Sequence, residues 1–175
     1  MPRFHDIPQF TKAAPYRIDC DWGYMINTWI PEHQGELGLE LDPDFQRAHV
    51  WSRHQQIRYV EFILRGGQSG KELYFNHPNW MSGFVGEFVL VDGKQRIEAA
   101  RRFLHNEIPA FGSLYKEYTD RLPFLTAKFG ININDLRTRA EVLQWYIDLN
   151  DGGIVHTSAE IKKVRRLLEE ENGKV

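Results

Sequence analysis

One cysteine, Cys20, is all the sequence holds, so no internal disulfide can form. It lies in the alternating run YRIDCDW, where a packed thiol is expected rather than a reactive one. No run approaches the roughly 20 apolar residues of a membrane span, and the opening MPRFHDIPQFTKAAPYR lacks the apolar stretch of a secretory signal. A cytoplasmic protein with no membrane contact is expected. There is no surplus of positive charge either: 22 Lys and Arg against 24 Asp and Glu give a formal charge of −2 and a pI near 6.4. That excludes indiscriminate coating of nucleic acid, which needs many Lys and Arg on phosphates; any anion site must be local. The histidines show no H-E-x-x-H spacing, one cysteine gives no zinc arithmetic, and no G-x-S-x-G elbow occurs. GGQSGKE (66–72) is one residue short of the P-loop spacing and has Glu72 where a Mg²⁺-binding Ser or Thr belongs, so it reads as a loop.

What is present is enough for one sizeable core: 175 residues, 42% hydrophobic and 26% charged. Aromatics reach 13% with five tryptophans, most of them expected as core filling. YRIDCDW (16–22) and ELGLEL (36–41) alternate apolar and polar side chains and predict half-buried strands. Ser52 and Gln55 have capping-box spacing, and Ile57, Val60, Ile63 and Leu64 mark a helix over 53–65, ended by Gly66 and Gly67. ELYF (72–75) and EFVLV (87–91) are further strand candidates. A second helix follows Asp92-Gly93 with Ile97, Ala100, Phe103 and Leu104 inward, and EIPAF is a short strand or connector. From about residue 113 the chain turns helical and polar. RAEVLQWYIDLN suits a helix, DGG breaks it, and Thr157 with Glu160 forms a second capping box before SAEIKKVRRLLEEENGK. In that last helix KKVRR should show one buried and one basic, solvated face. The expected architecture is an α+β sheet domain over 1–112 and a helical subdomain over 113–175, packed as one compact unit.

The sharpest local signal is FVLVDGKQRIEAARRF (88–103). A strand that passes through Asp92-Gly93 into a helix starting with Lys94, Gln95 and Arg96 aims backbone N–H groups, an ammonium and a guanidinium at one point. The plain alternative is an ordinary turn with a solvated basic face. Against that alternative, cations in a first helical turn oppose the helix dipole, and an anion would relieve the conflict. A second Gln-Arg pair, Gln46-Arg47, precedes the first capped helix. Taken alone, Arg47 is expected to snorkel or to pair with Asp42 or Asp44.

The order of these motifs, FQRAHVWS, QIRYVEFILRG, VDGKQRIEAARRF and LNDGGIVHTSAEI, resembles the N-terminal domain of GmrSD-type modification-dependent restriction enzymes. That family is a remote relative of the ParB and sulfiredoxin fold and is usually marked by a DGQQR motif. The resemblance runs over about 37–168. It implies a ParB/sulfiredoxin-like mixed sheet with flanking helices that binds, and in some members hydrolyses, a nucleoside triphosphate in the service of DNA restriction or phage defence. The motif positions fall on Asp92, Gly93, Gln95 and Arg96, and the first Q-R on Gln46 and Arg47. The implied roles are phosphate clamping by Arg47 and Arg96, close approach at Gly93, and Mg²⁺ holding or water orientation by Asp92. Asn150 would reach in from the helical part. Lys94 departs from the commoner glutamine, and GGQSGKELYF lacks the proline-bearing loop of the family. Many members carry a nuclease domain with an HNH-like motif that these 175 residues do not include, so a separate nuclease protein is an expected partner beside nucleotide and DNA. Two other readings stay open: a metal-dependent nuclease built on the same motif, and a non-enzymatic DNA- or protein-interaction module.

Overall fold

Four short strands carry the architecture: β1 (Tyr16–Asp21), β2 (Glu72–Asn76), β3 (Val89–Asp92) and β4 (Lys128–Asn134). They form one mixed sheet in the order β1-β4-β2-β3, with β1 antiparallel to β4, β4 parallel to β2, and β2 antiparallel to β3. The computed structural model describes residues 3, 7, 15–46, 51–151 and 158–173. The class is therefore mixed α+β, as expected, and β1, β2, β3 and the helices at 53–64 and 94–104 fall where periodicity puts them.

Two stretches differ from the expectation. ELGLEL is not a strand. Helical backbone runs from Trp22 without a break, as α1 (Trp22–Tyr24), a π-helical segment (Met25–Trp29) and α2 (Ile30–Leu37). Asp21 starts it by accepting the Tyr24 N–H at 3.0 Å, and Gly38, at φ 64°, ends it in the left-handed conformation. Only Glu40 keeps a strand-like contact, an isolated bridge to Val89. The overlooked signal was the helical spacing of Trp22, Met25, Ile26, Trp29 and Ile30, all of them buried. The second difference is β4. The sequence KFGININ alternates Phe129, Ile131 and Ile133 with Gly130, Asn132 and Asn134 and fills the centre of the sheet. The helical part therefore begins at α5 (Arg139–Asp151) rather than near residue 113, with α6 (Ser158–Asn172) after it. α5 runs through Asp151, and Gly152, Gly153 and Thr157 lie outside the described residues.

The sheet buries its two faces unequally. One face presents Leu73, Phe75, Leu90, Phe129, Ile131 and Ile133 to the main core, where the 22–37 helical run, α3 (Arg53–Leu64) and α4 (Lys94–Leu104) pack. On the other face Val89 and Val91 meet Val142, Leu143, Tyr146 and Val164 of α5 and α6. That second core involves β2 and β3 but no residue of β1 or β4. Half of that face is therefore polar. The basic run of α6 behaves as its pattern predicts: Val164 is buried while Lys162, Lys163, Arg165 and Arg166 are exposed.

Candidate anion-binding site at the β3–α4 turn

The turn between β3 and α4 is shaped by Gly93. Its φ is 124°, and a Cβ there would stand 2.4 Å from Leu73 Cδ2, so only glycine lets the strand reach the helix start this closely. As N-cap, Gly93 offers α4 no side-chain acceptor, and no acid stands in the helix's first turn. The Gly93 carbonyl accepts the Arg96 and Ile97 N–H groups, each at 3.0 Å.

Two carboxylates come to this turn from outside the helix. Arg96 Nη2 donates to Asp92 Oδ2, and Lys94 Nζ donates to Asp42 Oδ1. Both cations are mostly covered, at 18% and 17% side-chain exposure for Lys94 and Arg96, whereas Asp92 is 37% and Asp42 69% exposed. The dipole conflict seen in the sequence is thus met, in the free protein, by the chain's own anions. The carboxylates are the more accessible partners and stand between the two cations and solvent.

The glutamines fasten the first Gln-Arg stretch to the second. Gln46 Nε2 donates to the carbonyls of Leu90 and Val91 at 2.9 and 2.8 Å, covering acceptors on the edge strand β3. Gln95, itself buried, accepts the Trp51 N–H at 3.1 Å. Gln46 and Trp51 flank Arg47, which lies outside the described residues. Asp42 and Asp44, the partners expected for Arg47, are engaged elsewhere: Asp42 with Lys94, and Asp44 with Arg139 Nη2 at 2.6 and 2.7 Å. No sequence signal links residues so far apart; only the fold pairs Asp42 with Lys94.

Asn150 is not brought to the turn by any described contact. It stands in the last turn of α5 and donates to the Tyr146 carbonyl at 2.6 Å. Asp92 has no acidic or histidine neighbours that would complete a metal cage: among the described residues there is no group of three His, Cys, Asp or Glu side chains placed to hold an ion. It does face Tyr74, its register partner on β2. Burial raises the Tyr74 pKa, and the Glu72 carboxylate adds to the shift, so Tyr74 keeps its O–H as a donor at neutral pH.

The loop Gly66–Lys71 connects a helix to a strand, with Gly70 O accepting from Tyr59 Oη at 2.8 Å. A P-loop runs the other way, from strand to helix, which agrees with its rejection from spacing. No helix among the described residues is long and apolar enough to cross a membrane. Comparison with protein-family models, with curated proteins and with solved structures gave no match.

Proposed function

We propose that the β3–α4 turn holds the polyphosphate of a nucleoside triphosphate, and that the chain is a ParB-like nucleotide-binding domain working in a DNA-related setting, restriction or phage defence. One observation carries the reading: the stretch ending at Gln46 and resuming at Trp51 is fastened to β3, just before the turn, by Gln46 and to the DGKQR motif by Gln95. Gln46 and Gln95, 49 positions apart in sequence, then belong to one neighbourhood, in keeping with the resemblance to the GmrSD-type N-terminal domain.

In this reading Arg96 and Lys94 exchange part of their carboxylate contact for phosphate oxygens. Asp42 and Asp92 hold the two cations in position beforehand, so little side-chain entropy is lost on binding. A lone half-exposed Asp92 does not suit a metal bound by protein alone. It suits Mg²⁺ that arrives on the nucleotide, since Mg²⁺ is commonly held by one or two carboxylates together with substrate phosphates and water. Asp92 would take that role, and the metal would supply charge neutralisation at the phosphates. The same scarcity of carboxylates argues against a nuclease acting through the motif by itself.

A second reading is favoured by one specific fact. Both cations of the turn are already paired with Asp42 and Asp92, as they would be in an interaction module whose DGKQR motif only builds the turn. Thermal melts with millimolar ATP, GTP, CTP and UTP plus Mg²⁺ separate the two. A bound nucleotide at a hundredfold excess over Kd adds about 2.7 kcal/mol, whereas four unchanged melting temperatures would leave the interaction module.

A further inference from the structure

On the face of the sheet that α5 and α6 cover only over β2 and β3, four polar side chains stand in one row, one from each strand. Arg17 on β1 is the register partner of Asn132 on β4, Asn132 that of Tyr74 on β2, and Tyr74 that of Asp92 on β3. The last pairing depends on a bulge: the register shifts between Tyr74 and Phe75, so that Val91 is passed over and Asp92 comes opposite Tyr74. Three interstrand steps of about 4.8 Å put the row's ends roughly 14 Å apart. Arg96, paired with Asp92, closes one end, and Arg17 the other.

The middle of the row is built and partly unspent. Glu72 lies over Gly130, where any Cβ would come within 2.7 Å of its Oε1. Arg17 Nη2 donates to it at 2.9 Å and Asn132 Nδ2 at 2.6 Å. Asn132 is 8% exposed and also donates to the Leu73 and Gly130 carbonyls, each at 3.2 Å. All three of these bonds use its amide nitrogen; among the described residues its Oδ1 accepts none. The Tyr74 hydroxyl likewise makes no hydrogen bond among the described residues, although Trp145 packs edge-on against its ring at 5.9 Å. Glu72, Arg96, Asp92 and Arg17 all act electrostatically on Tyr74, in keeping with its place between the two charged ends. Neither oxygen is a buried orphan among the described residues, so both are open to solvent and to a ligand.

We infer that this row is the nucleoside floor of the site: with phosphates at Arg96, the ribose lies over Tyr74 and Asn132, and its hydroxyls donate to Asn132 Oδ1 and the Glu72 carboxylate. The inference rests on the polyphosphate reading of the turn. An acceptor pair of carboxylate and amide oxygen suits a ribose diol, which brings donors, and the Tyr74 O–H supplies the complementary donor. The row is a specificity element, distinct from the phosphate clamp one step away.

The test measures equilibrium binding of three probes with Mg²⁺: the tightest-binding ribonucleoside triphosphate, its 2′,3′-dideoxy counterpart, and inorganic tripolyphosphate. Wild type should bind the ribonucleotide at least tenfold more tightly than either other probe. Tyr74→Phe and Glu72→Gln, both near-isosteric and checked for folding by their melts, should reduce that preference to threefold or less while tripolyphosphate binding stays unchanged. Equal affinity of wild type for ribo- and dideoxynucleotide, an undiminished preference in both variants, or an equal loss for tripolyphosphate would each overturn the floor while leaving the phosphate reading standing. Failure of wild type to bind any of the three would instead remove the phosphate reading, and the floor with it.

Discussion

Arg96 sits one helical turn beyond Asp92 and donates its Nη2 to the Asp92 carboxylate across the Gly93 bend. The pair joins the last residue of β3 to the first turn of α4, so the turn's geometry and its charge are set by the same contact. With Arg96 17% and Asp92 37% exposed, removing the Asp92 charge leaves a mostly covered guanidinium without its partner, and removing Arg96 loses the charged hydrogen bond. Asp92→Asn and Arg96→Ala should each lower unfolding stability by about 1–2 kcal/mol, and the double variant should lose clearly less than their sum, with a coupling of roughly 1 kcal/mol. Urea unfolding of the four proteins gives the cycle; strictly additive losses would mean the pair contributes nothing.

Gly93→Ala should be severe. The substitution meets a positive-φ backbone, worth about 1–2 kcal/mol, and a Cβ contact of 2.4 Å with Leu73 Cδ2 that forces repacking at about 1–3 kcal/mol. A loss of about 2–5 kcal/mol in chemical denaturation is expected from the two together. A variant as stable as wild type would show that the turn is not as tight as described.

His77 sets a pH dependence. It is fully buried among Trp80, Phe84 and Phe88, its Nδ1 accepts the Asn79 N–H at 3.2 Å, and burial holds its pKa below the ordinary 6.5. The unfolded chain therefore takes up this proton at a higher pH than the folded one. Stability from this group is complete above pH 6.5 and falls as the pH drops from there toward the lowered folded value. Unfolding curves between pH 5 and 7.5 should slope in wild type and be flatter in His77→Phe; identical slopes would show that His77 is not the group responsible.

Cys20 is 5% exposed, and burial, reinforced by Asp21, pushes its pKa up to about 11. A thiol reagent at pH 8 should leave it unmodified in the native protein and react fully once urea unfolds the chain. Fast labelling of the folded protein would contradict its packing.

Much of this was readable from local pattern, and what was missed has local causes. α3 announces itself through the Ser52–Gln55 capping box and α4 through Ile97, Ala100, Phe103 and Leu104, because both signals lie within a few residues. The 22–37 helical run was hidden by Gly23, Pro31 and Gly35, residues that normally break helices, and by the leucine alternation at 37, 39 and 41. β4 was hidden because Gly130, Asn132 and Asn134 look like turn residues; their places in the sheet are explained by Glu72 over Gly130 and by side-chain hydrogen bonds of both asparagines. At the site, Asp92, Gly93 and Arg96 stood out from spacing alone. Asp42 on Lys94, Gln46 on β3 and Trp51 on Gln95 depend on contacts between residues 44 or more positions apart, which no window reveals.

The most direct measurement titrates the tightest-binding nucleoside triphosphate, with Mg²⁺, into wild type, Arg96→Ala and a remote charge control, Arg166→Ala, whose side chain is 73% exposed on α6. If Arg96 clamps phosphate, its removal should weaken binding by about 1.5–3 kcal/mol, or about one to two decades in Kd, with the variant still folded and Arg166→Ala indistinguishable from wild type. Arg96→Ala binding as tightly as wild type, or both arginine variants weakening alike, would contradict the account.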